Sequence, residues 1–210
     1  MKRNDWIFTI VVAVLFAGLA GGFLEWIHSF GPKSGGSPSG AAAAVGSGSG
    51  SQASRLVIPS IGANAPVVDA GATGPDGGAF DVPNSVHVVA WWDGLWKSPN
   101  GNVQEKVAKP GQPGVALLAG HIDSAAQGHG ALYRLQQIKT GAPITVYGAN
   151  GSTTRWKVTR LQIVAKSALP KTLFVNNGPV RLAVVSCGGP FDAATGHYVD
   201  NVIAWASPAA

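Results

Sequence analysis

From Arg55 onward the chain is a succession of short Val/Ile-rich runs, each closed by Gly, Pro, Asn or Asp, and this pattern narrows its possible folds most. The runs are 56–58, 65–68, 86–92, 115–119, 144–147, 155–163, 181–186 and 201–205. β-Branched residues suit a pleated surface, and turn residues at both ends stop each run before it reaches helical length. Eight such runs predict an all-β fold, either a barrel or a sandwich. Only 131–138 has helix-like composition, and it is two turns at most. A charged share of 12%, with 29 Gly and 14 Pro, excludes a coiled coil or long helical bundle. No repeat of about 20–50 residues is present, which excludes a solenoid or propeller. With 210 residues, 46% of them hydrophobic, the chain can build one core plus an appendage, but not two catalytic domains.

The appendage is N-terminal. Met1-Lys2-Arg3 is basic, and the nineteen residues from Trp6 to Leu24 carry no charge. As a helix this run is about 28 Å long, close to the roughly 30 Å of bilayer hydrocarbon. Trp6 and Trp26 flank it, where interfacial aromatics belong. Residues 1–30 are therefore expected to be a transmembrane anchor. Positive charge before the span predicts a cytoplasmic N-terminus and an exported remainder. A cleaved signal is the rival reading, with Gly18-Leu19-Ala20 as a small-x-small site, but the apolar run continues past it into Gly22-Phe23-Leu24. Residues 31–54 are almost all Gly, Ser, Ala and Pro with Lys33 the one charge, a composition that cannot bury enough apolar surface to order itself. We read them as a flexible linker with an r.m.s. span of about 25–30 Å, and 55–207 as the folded domain.

The net charge of +5 would suit nucleic acid or an anionic cell surface. From Arg55 onward, however, twelve basic and eight acidic residues are spread without a cluster, so no nucleic-acid partner is expected. A single cysteine excludes an internal disulfide framework and any Cys-based zinc site. The few acidic residues, among them Asp76, Asp81, Asp93 and Glu105, are scattered, so neither metal nor cofactor is expected.

Cys187 ends the apolar run Arg-Leu-Ala-Val-Val-Ser and is followed by Gly188-Gly189-Pro190, where the strand is expected to break. An unpaired cysteine in an exported protein is buried and inert, paired to another chain, or a working thiol. A rim position favours the last. His121 has a matching setting, since Val115 to Ala119 is an apolar run leading into Gly120-His121. A thiol and an imidazole at the ends of neighbouring strands can meet, and a cysteine nucleophile needs such a base. Among the other histidines, His28 adjoins the membrane run and His87 alternates within an expected strand. His129 and His197 sit in loops and compete with His121 for the role.

These residues resemble the sortase family. Leu117-Leu118-Ala119-Gly120-His121 with Ile122-Asp123 is similar to the sortase histidine motif, and Val185-Ser186-Cys187 to the strand that carries the cysteine. The opening Leu56-Val-Ile-Pro-Ser-Ile-Gly-Ala-Asn-Ala-Pro-Val67 and the closing stretch from Gly188 to Ala206 are similar to actinobacterial sortases, most of all class F. The resemblance spans 55–206. It implies an eight-stranded sortase-type β-barrel with one or two short helices, preceded by the transmembrane helix. It also implies a cysteine transpeptidase that cleaves an LPxTG-type sorting signal of exported proteins through a thioacyl intermediate. An amine of peptidoglycan or a pilin would then accept the acyl group. The enzyme would be a single-pass cell-membrane protein with its catalytic domain on the extracytoplasmic side. Carried over by residue, Cys187 is the nucleophile and His121 the general acid/base.

One family residue is missing. Sortases carry an arginine on the last strand a few positions after a Thr-Gly, and matching Thr195-Gly196 puts Asn201 in its place. Arg181, the last arginine of the chain, is six residues before Cys187, about 20 Å at roughly 3.3 Å per residue. Asn201 as a neutral oxyanion donor, or Arg134 folding in, are the two substitutes. Leu169-Pro170-Lys171-Thr172 reads as Leu-Pro-x-Thr but continues with Leu173, and an ordinary Pro-containing loop is expected there. An L,D-transpeptidase would carry Ser-His-Gly-Cys, whereas Ser186 abuts Cys187 directly. The remaining alternative is a noncatalytic or degenerate sortase-fold cell-surface binding protein.

Overall fold

A computed structural model describes residues 52–70, 72–73, 79–80, 82–92, 96–97, 103–104 and 108–209. The expected anchor at 1–30, and the linker as far as 51, lie outside the described residues. Among those described, no helix is long and apolar enough to cross a membrane.

All eight expected runs form strands: β1 (Ala53–Ile58), β2 (Ala63–Ala70), β3 (Val89–Trp92), β4 (Gly114–Gly120), β5 (Pro143–Gly148), β6 (Thr153–Ala165), β7 (Val180–Asp192) and β8 (His197–Pro208). They close into one barrel in the order β1-β5-β6-β8-β7-β4-β3-β2, with β2 pairing back to β1. Two pairs are parallel, β2 with β3 and β4 with β7, and the other six are antiparallel.

Three local expectations need correction. First, 86–88 is not strand. The Val86 amide donates to the Gln127 side chain and its carbonyl accepts from the Ala131 amide, so these groups serve a loop contact rather than a ladder. His87 accordingly lies in an exposed turn. Second, β7 does not break after Cys187 but runs on to Asp192 through a bulge between Gly188 and Phe191. Gly189 has φ 73° there, and a Cβ on it would collide with the Asp200 carboxylate, so the bulge needs glycine. Third, 131–138 forms turns with a 3-10 segment only at Leu135–Gln137. Leu132, Leu135 and Ile138 recur every three residues and all bury in the barrel's core cluster, which suits the threefold period of a 3-10 turn. Among the described residues, helix is limited to this turn and three others: Pro59–Ile61, Lys166–Ala168 and Lys171–Phe174.

Two hydrophobic clusters use opposite faces of the same strands. Leu182 and Val184 of β7, Val202 and Ala204 of β8, and Ala116 and Leu118 of β4 point into the barrel with Leu56, Ile58, Ile144 and Trp156. Ala183 and Val185, Ile203 and Trp205, and Val115 and Leu117 point outward and are covered by Leu173, with Leu169, Phe174 and Val175 packed around it. Burial on both faces explains why 181–186 reads as an unbroken apolar run rather than an alternating one. This outward cluster leads directly to the site.

Candidate active site

The parallel register of β4 and β7 pairs Val185 with Ala119. Two residues further come Cys187 and His121. His121 thus lies just past the end of β4, and Cys187 lies on β7 two residues beyond its last pairing with β4. Continued period-two alternation would turn both towards the rim of the outer cluster.

His121 is half-buried and held from behind. Its Nε2 lies 2.9 Å from the Pro83 carbonyl oxygen. A carbonyl can only accept, so Nε2 carries the proton and Nδ1 is the basic nitrogen of the neutral ring. The neighbouring backbone is tightly seated. The Gly130 amide donates to the Ile122 carbonyl at 2.8 Å. A Cβ on Gly130 would run into the carbonyls of His121 and Val86.

Cys187 is a free, half-buried thiol. It pairs with Asn201 of β8, and Asn201 pairs on its other side with Val164 of β6, so Val164, Asn201 and Cys187 form one row across three strands. Just past Ala165, at the end of β6, the chain turns into the 3-10 segment Lys166–Ala168. That turn packs against β8, which brings the Lys166 ammonium close enough to act on the Cys187 thiol. Burial pushes the thiol above its usual range; the Lys166 ammonium opposes this, by charge and by hydrogen bond, while the Asp123 carboxylate adds to it. The balance keeps Cys187 protonated at rest, so attack requires a base. Asp123, two residues beyond His121, accepts a 2.7 Å hydrogen bond from the Tyr198 hydroxyl. That bond, with partial burial, pushes the Tyr198 phenol up to about 12, so it stays a donor.

The other residues singled out in the sequence are held by other contacts. His129 pairs with Asp123 across the short ribbon Asp123–Ser124/Gly128–His129, and its ring stacks on Tyr133 at 3.5 Å. His197 opposes Asp192 at the start of β8, four residues from Asn201, about 13 Å along the strand. Arg181 lies at the far end of β7, with its guanidinium 6.0 Å from the Trp205 ring centroid. Arg134 is exposed at the start of the Leu135–Gln137 turn. Leu169-Pro170-Lys171-Thr172 joins two 3-10 turns and covers the outer cluster, with Leu169 and Leu173 facing it. Sequence reasoning missed Lys166, Asp123 and Tyr198. Asp123 was within reach of a motif argument, being two positions from His121. Lys166 was not, because its place depends on β6 lying next to β8.

Among the described residues, no group of three His, Cys, Asp or Glu side chains could hold a metal ion.

A family model described as the sortase domain matches residues 56–209. No curated protein matches the chain. Among solved structures, the chain is similar to sortase A from Corynebacterium diphtheriae, with a TM-score of 0.53 and 16% identity. That match covers 77% of this chain and 62% of the other, so this chain spans less than two thirds of its length. Sortase C-1 from Actinomyces oris matches with a TM-score of 0.52 and 17% identity, covering 74% of this chain and 73% of that one. Sortase C1 from Streptococcus agalactiae gives 0.51 and 14%, covering 76% and 70%. At such identities the likeness is one of fold.

Proposed function

The chain belongs to the sortase family, and from that premise we propose that it is a cysteine transpeptidase acting on LPxTG-type sorting signals of exported proteins. The supporting observation is the parallel register of β4 and β7, whose last pair, Val185 with Ala119, lies two residues before Cys187 and His121. The signal's backbone would lie along the outer-face rim, beside the 166–175 segment.

The chemistry follows from the protonation states. The Cys187 proton passes to Nδ1 of His121, whose Nε2–H remains bound to the Pro83 carbonyl. The sulfur forms a bond to the Thr carbonyl carbon, and the carbonyl π pair moves to oxygen. Asn201, paired with Cys187, is the proposed neutral donor to that oxygen. Collapse breaks the Thr–Gly C–N bond, and the leaving amine takes the proton from Nδ1. An incoming amine of peptidoglycan or a pilin then attacks the thioester and gives a proton back through His121, and the thiol is restored.

The resemblance of the opening and closing strands favours the class F branch. The charge-free run at Trp6 to Leu24 favours a single-pass membrane anchor with the barrel on the extracytoplasmic side. The test is incubation of the full chain, in detergent micelles, with a panel of Leu-Pro-x-Thr-Gly peptides, read by intact-mass spectrometry. A thioacyl adduct on Cys187 is expected. Peptide binding without adduct or cleavage would instead support the noncatalytic alternative.

A further inference from the structure

Attack by a thiolate moves a full negative charge from sulfur to the substrate's carbonyl oxygen, and a neutral asparagine answers only part of it. Near Cys187, β4 and its following turn contribute His121 and Asp123, and β8 contributes Asn201 and Tyr198, with Tyr133 in turn beside Tyr198. Asp200 lies on the opposite face of β8, its carboxylate against Gly189. The permanently charged groups in that set are acidic, and the Leu135–Gln137 turn, which brings Gln136 beside Gly188, adds only the exposed Arg134 at its start. A cation is needed if the site is not to oppose its own thiolate. The cation comes from β6. Val164 shares a row with Asn201 and Cys187. Lys166 follows two residues later, just as the chain turns over the outer face. The segment beyond it is pinned there by Leu173, which is 1% exposed. That turn packs against β8, so a four-carbon side chain starting there can cross the strand towards the sulfur.

We infer that Lys166 is the cationic partner of the reaction, pairing with the Cys187 thiolate before attack and donating to the substrate's carbonyl oxygen after it. The inference rests on the transpeptidase reading and adds a residue from a strand that the sequence alone does not connect with the site. The bond changes are those already given, and Lys166 keeps its proton throughout. Its ammonium is a compact point charge on a flexible stem, able to follow the charge from sulfur to oxygen. Arginine at this position would keep the charge.

Full-length wild type, Lys166→Met, Lys166→Gln and Lys166→Arg, in detergent micelles, are compared by two readouts. The first is the rate of Cys187 alkylation by iodoacetamide across pH, which needs no sorting signal. Loss of the nearby positive charge should move this profile to higher pH and slow alkylation about tenfold near neutrality in both neutral variants, with Lys166→Arg close to wild type. The second is the rate of thioacyl formation with a Leu-Pro-x-Thr-Gly peptide, which should fall roughly 10²–10³-fold in the neutral variants and recover most of its rate in Lys166→Arg. Two neutral variants guard against one failing to fold. An alkylation profile that stays in place, with acylation within about threefold of wild type, overturns the role of Lys166. Absence of any adduct in wild type overturns the transpeptidase reading instead, while the alkylation arm still decides whether Lys166 holds the thiolate.

Discussion

The outward face of β4, β7 and β8 has two halves built from the same three strands, and they differ in almost everything but backbone geometry. The base half carries Val115, Leu117, Ala183, Ile203 and Trp205, sealed under Leu173 and Phe174. The rim half carries His121, Cys187 and Asn201, all only partly covered. Both halves follow the same alternation, so position along the strand sets the change from packing to chemistry. The base half makes the face rigid by excluding water. The rim half inherits that rigidity, and its polar groups keep enough access for a peptide to reach them. A nucleophile two residues deeper, at Val185, would be covered by the cluster. One placed on the exposed hairpin, near Asp192, would lack a neighbouring strand from which to draw a base.

Substitutions in the two halves should separate catalysis from stability. The largest effect is expected from Cys187→Ala, which should abolish cleavage and transfer while leaving the thermal unfolding midpoint nearly unchanged, because the thiol is the one sulfur nucleophile and is only half-buried. More than trace turnover by this variant would remove the chemistry from the rim. His121→Ala should lower the rate about 10²–10⁴-fold, the usual worth of a positioned acid–base group. His129→Ala and His197→Ala should each cost only a few-fold, since one ring is stacked on Tyr133 and the other is about 13 Å down β8. A larger loss at either would mean that a different histidine serves as base.

The base half should behave in the opposite way. Leu173→Ala removes a side chain that is 1% exposed and should destabilise the fold by about 2–5 kcal/mol in denaturant titration. It should also slow catalysis by the folded molecules, since it loosens the segment that begins at Lys166. Unchanged catalysis in the folded fraction would show that the two halves are mechanically independent. Among the rim residues assigned to the reaction, the smallest loss is expected from Asn201→Ala, about 10²-fold in turnover, or roughly 2.7 kcal/mol, with peptide affinity nearly constant. Activity equal to wild type would leave the developing charge to Lys166 and the backbone amides beyond Cys187.

Much of this was legible in the residues. Each of the eight apolar runs became a barrel strand because β-branched content and bounding turn residues act locally. Cys187 and His121 stood out because each ends such a run, and period two assigns a face to every residue in it. The run at 131–138 was misread because a three-residue spacing of Leu132, Leu135 and Ile138 resembles a helical one over so short a stretch. The strand break expected after Cys187 failed because a bulge can absorb Gly188-Gly189-Pro190 when a partner strand holds both sides, and β8 does.

By itself the sequence determined where the eight strands lie, which face their residues present, and that a thiol and an imidazole each follow an apolar run. Only the tertiary structure decided which strands are neighbours. That choice places β4 beside β7, so that the segments carrying His121 and Cys187 are neighbours, and β6 beside β8, so that Lys166 begins its turn one strand away from Cys187. Alternation is a property of a few consecutive residues, whereas strand order is settled by how all the apolar faces can be buried at once. The histidine could be guessed because it mirrored the cysteine in sequence. The lysine could not, because nothing near residue 166 refers to residue 187.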